Sequence, residues 1–400
     1  MVTFKYAEPE LKWQIDNLSC QTAVSLETAP LTSEAGFVLW QKDIPEAYWR
    51  LGGKELVERV HRAKAKLGSQ VVVLGHHYQR EDIIQFADVK GDSFKLAQWA
   101  AQRPESEYIV FCGVHFMAEA ADVLSAPHQK VVLPNMSAGC TMADMADLDD
   151  VLDCWQQLQE IGIAGSTIPV TYMNSTASLK AFCGRNDGIV CTSSNATAVL
   201  EWAFEKRKRV LFFPDQHLGR NTGVKLGIPM GKMLVWDPEQ PLGGHTPEEL
   251  TRAKIILWRG WCSVHMRFTI DQVEAARAKY PDVKVMVHPE CTLEVVQAAD
   301  MNGSTEFIAK TIGEAPVGSQ WAVGTEINLV SRLARENPDK LVFCLDPVVC
   351  PCSTMYRIHP AYLCWVLEEL VEGRVQNRMV VEPETAKWAK VALDRMLEVR

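Results

Sequence analysis

One local pattern recurs along most of the chain: a short, wholly apolar run breaks off at a polar cluster, and a helix-forming stretch follows. Val71-Val72-Val73-Leu74 ends in Gly75-His76-His77, YIVF runs into Cys112-Gly113, and VVL into Pro134-Asn135. IPVTYM stops at Asn174, GIV at Cys191-Thr192-Ser193, and VLFF at Pro214-Asp215-Gln216-His217. VKVMV, WAV and LVFCL end at His288-Pro289-Glu290, Gly324-Thr325-Glu326 and Asp346-Pro347. Between them lie amphipathic stretches such as Val57, Val60, Lys64 and Leu67, one helical stripe closed by Gly68. Continuous apolar strands alternating with helices predict an α/β protein whose parallel sheets are covered on both faces. Roughly ten strands are many for one sheet, so more than one is expected. Ligands of such sheets bind beyond the carboxyl ends of the strands, which is where the polar clusters fall.

The remaining composition narrows the function classes. Hydrophobic residues make up 47% and charged residues 23%, the balance of a globular chain. The net charge is −9, and the cations cluster only at Lys206-Arg207-Lys208-Arg209, which argues against a nucleic-acid surface. No apolar run approaches the roughly 20 residues of a membrane helix. The segment MVTFKYAEPELKWQ has charges where a signal peptide would be apolar, so a cytoplasmic location is expected. Twelve cysteines are too scattered for a disulfide scaffold, leaving packed thiols, a metal or an iron–sulfur cluster.

No GxxxxGK[ST], GxSxG or HExxH is present, and no GxGxxG follows a strand. That weakens nucleoside-triphosphate, hydrolase-elbow, zincin and dinucleotide readings. Gly91-Asp92-Ser93, Thr192-Ser193-Ser194-Asn195 and Gly303-Ser304-Thr305 each place hydroxyls at a predicted helix start, serving as N-caps or as anion sites. Taken singly, strand-end residues such as His76 or Cys112 read equally well as structural groups.

Together the segments resemble the quinolinate synthases, iron–sulfur enzymes of NAD synthesis. They are LGHHYQREDI with ADVKGDSFKLA, FCGVHFMAE, AGCTMAD, YMNSTASLKA, CTSSNA, PDQHLGR, WRGWCSVHMRF, VHPEC, GSTEFI and CPCSTMYRI, in the family's order. The resemblance implies three similar αβα domains around a pseudo-threefold axis, with cluster and active site at the centre. The expected units are residues 54–165, with the C-terminal segment 353–400 packing on it, then 166–270 and 271–352. Residues 1–53 form an N-terminal extension.

The same resemblance implies one [4Fe–4S] cluster per chain, held by Cys112, Cys262 and Cys352. Three ligands leave one iron free to act as a Lewis acid. Cys352 is preferred to Cys350 because Cys-Ser-Thr-Met keeps the family's Cys-x-x-Met spacing; Cys350 is then a second redox-active thiol or a packed one. The implied reaction condenses iminosuccinate with dihydroxyacetone phosphate to quinolinate, with loss of phosphate and water. Ser93, Ser193 and Thr305 would hold carboxylate and phosphate oxygens, with Tyr172 and Asn174 as further substrate contacts. His76 and Tyr78 would bind substrate and transfer protons, His288 would bind substrate, and Glu290 would act as general base. His217, His265, His77 and Cys191 have weaker claims. The stretch from Asn221 to Leu257 reads as an inserted loop and helix, a lid or an oligomer contact. An enzyme that makes iminosuccinate is a possible partner; nucleic acid and membrane are not expected. The rival readings are a metal-dependent hydrolase using the strand-end His and Glu residues, and a non-enzymatic iron–sulfur sensor.

Overall fold

A computed structural model describes residues 30–33, 44–102, 104–348 and 351–399. Most of the N-terminal extension, and Cys20 and Cys350, lie outside the described residues. The apolar runs form three separate, wholly parallel sheets. The first contains β1 (Val71–His76), β2 (Val89–Gly91), β3 (Tyr108–Cys112) and β4 (Lys130–Val132), in the order β2-β1-β3-β4. The second contains β5 (Thr167–Tyr172), β6 (Ile189–Cys191), β7 (Arg209–Phe213), β8 (Met233–Trp236) and β9 (Ile255–Trp258), in the order β6-β5-β7-β9-β8. The third contains β10 (Lys284–Val287), β11 (Met301–Asn302), β12 (Gln320–Gly324) and β13 (Leu341–Cys344), in the order β11-β10-β12-β13.

The three sheets are thus one arrangement used three times. In each, the first strand in sequence pairs with the second on one side and the third on the other, and a later strand extends beyond the third. Helices cover the faces, so the strand residues are buried throughout β1, β3, β5 and β7. The second sheet differs by one strand. The stretch expected to be an inserted loop carries β8, a parallel edge strand paired with β9 in register Met233↔Ile255 to Trp236↔Trp258. Its four residues, MLVW, are all apolar and only half-buried in the middle, as suits the edge of the sheet.

The C-terminal segment 353–400 does not pack on the first unit alone. Helix Pro360–Val371 lies against Gly53–Leu67 of that unit, where Arg59 and Tyr48 both donate to Glu368. The last helix, Pro383–Glu398, lies chiefly against Ala177–Arg185 and β6 of the second unit and also meets His115–Leu124 of the first. Gly184 permits this close approach, because a Cβ there would fall on the carbonyl oxygen of Trp388. Among the described residues no helix is long and apolar enough to cross a membrane.

Candidate active site

Residues just beyond the carboxyl ends of strands in all three sheets line one cavity. His76 ends β1 and Tyr78 lies just past it, Tyr172 ends β5 and Asn174 lies just past it, and His288 and Glu290 follow β10, the topologically equivalent strands. Ser93 follows β2, Ser193 follows β6 and Thr305 follows β11, again equivalent positions. Each hydroxyl lies at or just before a helix start: Ser93–Gln102, Ala196–Lys206 and Thr305–Glu314. Free N–H groups and the positive end of the helix dipole therefore face the cavity from three sides.

The cysteines obey the same threefold pattern, and it separates Cys112 from the others. Cys140, Cys262 and Cys352 line the cavity; Cys112 is not among its lining residues. Cys140 lies on the connection after β4, Cys262 after β9 and Cys352 after β13, the fourth position of each sheet. Each opens the same turn. The amide of Asp144 donates to the Cys140 carbonyl at 3.1 Å, that of Met266 to Cys262 at 3.1 Å, and that of Tyr356 to Cys352 at 2.9 Å. A single 3₁₀ turn begins three residues after each: Ala143–Met145, His265–Arg267 and Met355–Arg357. Cys112 is the last residue of β3, fully buried, and its charged neighbours are Lys64 and Asp88. The set brought together is therefore Cys140, Cys262 and Cys352, in place of the expected Cys112, Cys262 and Cys352.

Burial pushes the Cys140 thiol up to about 12, and raises Cys262 and Cys352 as well. No cation stands among the cavity-lining residues to favour three thiolates. The donor set suits a group that brings its own positive charge, as iron does in a cluster or as a thiolate-bound metal ion would.

The two strand-end histidines are fixed in one tautomer by the backbone. The Tyr78 amide donates to His76 Nδ1 at 3.1 Å, and the Glu290 amide donates to His288 Nδ1 at 3.3 Å. An amide can only donate, so Nδ1 is the acceptor and the proton of each neutral ring sits on Nε2. Burial depresses both, His288 to about 3 and His76 well below its usual value, so both are neutral at pH 7.

Glu290 is the chemical centre of the third sheet's contribution. It is 2% exposed, and His265 Nδ1 lies 2.7 Å from its carboxylate. The far side of the same ring, Nε2, is 3.2 Å from Thr325 Oγ1 and 3.4 Å from the Tyr78 hydroxyl, which itself lies 2.6 Å from Thr325 Oγ1. His265 also stacks on His288 at 4.4 Å between ring centres. Burial alone would raise the Glu290 carboxyl, but the His288 and His265 rings and hydrogen bonds from His265 and Tyr172 hold it below the usual carboxylate range. Glu290 is therefore a carboxylate with a continuous hydrogen-bonded path through His265 to Thr325 and Tyr78. Cys262, His265 and Glu290 also form a compact group with donor atoms within 4.8 Å of one another. Both nitrogens of His265 are already engaged by Glu290 and Thr325, which makes it a positioning residue for Glu290 rather than a free ligand.

Three further residues shape the site without having been singled out for it in the sequence. Lys180, fully buried, donates to the carbonyls of Met173 and Ser175 and so clamps the loop that carries Tyr172 and Asn174. Glu326 accepts from the Cys352 amide at 3.1 Å and holds the third thiol's turn. Thr325 ties Tyr78 to His265. The sequence signal for Thr325 and Glu326 was present, since both follow an apolar run. Of the residues with weaker claims, Cys191 is buried at the end of β6, and His77 turns away to Glu306. His217 is not among the cavity-lining residues.

The His77 contact ties the first unit to the third. Arg332 donates to His77 Nδ1 at 3.0 Å, so His77 Nε2–H donates to Glu306, at 2.9 Å; Lys95 donates to the other carboxylate oxygen at 3.0 Å. The hydrogen bond from His77, supported by Lys95, holds Glu306 down to about 2 from an ordinary 4.5. A depressed carboxylate stabilises the fold fully above pH 4.5 and loses that contribution as pH falls toward 2. The Glu306 side chain is 42% exposed, so screening limits the effect to about 1 kcal/mol. Glu306→Gln is accordingly expected to lower the urea midpoint above pH 4.5 and to match the parent protein near pH 2. A gap that stayed constant across that window would detach Glu306 from the effect.

Comparison with known proteins adds an independent finding. A family model described as "Quinolinate synthetase A protein" matches residues 58–398. The chain is 61% identical to the quinolinate synthase of Corynebacterium glutamicum over 359 residues, which is 90% of this chain and 91% of that protein. It is 58% identical to the quinolinate synthase of a Nocardioides species over 374 residues, 92% of this chain and 94% of that protein. The quinolinate synthase of Streptomyces coelicolor is 58% identical over 346 residues, covering 86% and 88% of the two chains.

Proposed function

The chain belongs to the quinolinate synthase family, and from that premise we infer that it condenses iminosuccinate with dihydroxyacetone phosphate to quinolinate, releasing phosphate and water. The observation that carries the reading is the convergence of three equivalent strand ends, three hydroxyl-bearing helix starts and three equivalent cysteine turns on one cavity. A reaction that joins a dicarboxylate to a triose phosphate and closes a ring needs anion sites, a base and a place to expel leaving groups. The cavity offers groups for each.

Cys140, Cys262 and Cys352 would hold a [4Fe–4S] cluster, which when bound supplies a Lewis-acidic iron lacking a protein thiolate. Ser93, Ser193 and Thr305, with the amides at their helix starts, bind the carboxylate and phosphate oxygens. Tyr172 and Asn174 orient the substrate from the second sheet. His76 and His288, neutral and carrying their protons on Nε2, donate hydrogen bonds to substrate oxygens. Glu290 takes the carbon-bound proton whose removal enolises the triose, and the path through His265 to Thr325 and Tyr78 offers that proton a route back to a departing oxygen. The buried position of these groups keeps water from the imine, which it would hydrolyse.

The test is a measurement on protein purified without oxygen: iron and sulfide per chain, with quinolinate assayed in the same sample. About four of each with quinolinate formed is the expected result for one such cluster. Bound zinc or a single redox-silent ion, with no quinolinate, would overturn the reading in favour of a metal-dependent hydrolase built on Cys262, His265 and Glu290. An intact cluster with no turnover would leave the sensor reading.

A further inference from the structure

The second sheet carries another concave site at its opposite end, far from the strand ends that form the active site. A groove of ≈ 680 Å³ is bounded by the end of helix Ala196–Lys206, the connection before β8 and the residue that precedes β9. Lys208, Lys232 and Lys254 stand immediately before or one residue ahead of the adjacent strands β7, β8 and β9. The register places Val210, Ile255 and Met233 side by side, so Lys254 and Lys232 stand level on neighbouring strands, with Lys208 one residue further out from the sheet. Such strands lie about 4.8 Å apart, which brings the ammonium-bearing stems together. The Lys254 amide donates to the Lys232 carbonyl at 2.7 Å, fixing the two strand starts against each other.

Lys206, Lys208, Lys232 and Lys254 make no ion pair among the described residues, and Lys232 is half-buried. The nearby Arg207 is the exception, paired with Asp187 at 2.7 Å. Of the groove's lining residues only Glu205 is acidic. The negative end of helix Ala196–Lys206 accounts for Lys206, but not for Lys232 and Lys254, which stand on strand starts. In a chain with a net charge of −9, such a set of like charges repels itself until an anion binds. Phe204, Ile228 and Pro229 give the groove an apolar wall beside the lysines.

We propose that this groove binds a nucleotide of the diphosphate class, with the phosphates on Lys208, Lys232 and Lys254 and the base against Phe204, Ile228 and Pro229. A shallow groove open to solvent, with its lysines on one side and an apolar wall on the other, fits a small molecule with a charged end and a flat end. It does not fit a nucleic acid strand, which needs an extended basic track. The assignment is independent of the reaction assigned to the other end of the sheet.

Calorimetric titration of the full-length protein with ADP, inorganic pyrophosphate and a short single-stranded oligonucleotide tests the proposal. ADP is expected to bind with an affinity that weakens as salt rises. Pyrophosphate, lacking the base, binds several-fold more weakly. The double variant Lys232→Gln with Lys254→Gln is expected to weaken ADP binding about tenfold or more, a change of one decade in Kd. Quinolinate formation and thermal midpoint should remain those of the parent, which separates this groove from any phosphate binding at the cavity. The proposal is overturned if ADP does not bind, or if the double variant binds it unchanged. It is overturned equally if pyrophosphate matches ADP, or if the oligonucleotide binds more tightly than ADP.

Discussion

If the proposed cluster is held as inferred, Cys140→Ser is expected to yield protein without iron and without turnover, whereas Cys112→Ala keeps both. The argument rests on repetition within the fold. Three sheets of one design each place a cysteine after the fourth strand position, at the start of the same turn. A group held by one thiolate from each unit loses a third of its protein ligands when any of the three is replaced, and serine is a poor substitute for a thiolate on iron. Loss of turnover should exceed about 10³-fold, because a ligand and the Lewis acid it holds go together. Cys112 stands at a different position, at the end of β3, among the buried core residues. Alanine there removes one sulfur from the core at a cost of about 1 kcal/mol, felt in stability and not in the metal content. Iron and sulfide per folded chain decide the matter. A Cys112→Ala protein that folds but holds no iron, beside an iron-replete Cys140→Ser, would return the ligand role to Cys112.

Cys112 and Cys140 also mark the limit of what the residues alone convey. An apolar run ending at a chemically active side chain is a local signal, and it picks out His76, Asn174, Ser193, His288 and Glu290, all of which line the cavity; Ser93 and Thr305 are legible as hydroxyls at helix starts, and Tyr172 through the family resemblance. Cys112 has the same local signature, since it ends a strand and precedes a glycine. Cys140 lacks it: β4 ends at Val132, and the chain travels through an irregular connection before the cysteine arrives. Only the third dimension brings that connection back over the cavity, through contacts such as the His115 amide on the Ala138 carbonyl at 2.8 Å. The AGCTMAD segment was legible as a family segment, yet its role depended on which strand it followed. β8 was missed for a different reason. Met-Leu-Val-Trp is a continuous apolar run that stops at Asp237, so its signal is present in the sequence but is absorbed into the stretch read as an insertion. His265 looked like a neighbour of Cys262 and proved to be the link between Glu290 and Thr325.

That link underlies the second large effect. Glu290→Gln should leave iron content and fold intact while lowering quinolinate formation about 10²- to 10⁴-fold, the usual range for loss of a positioned general base. The amide keeps the size of the carboxyl and can still accept a hydrogen bond from His265 Nδ1, so the stack of His265 on His288 has no reason to move. What it cannot do is take a proton from carbon. His265→Asn separates positioning from chemistry. It keeps a donor near Glu290 but breaks the connection to Thr325 and Tyr78, so turnover should fall less than in Glu290→Gln, with a changed pH profile. A Glu290→Gln protein that turns over at near-parental rate would remove Glu290 from proton transfer. Tyr78 could not take over that step, because burial and the nearby Glu290 carboxylate hold its phenol well above its usual range, so it stays protonated and has no phenolate to accept a proton from carbon. Such a group can finish the reaction but not begin it, which is why the initiating step is assigned to the carboxylate.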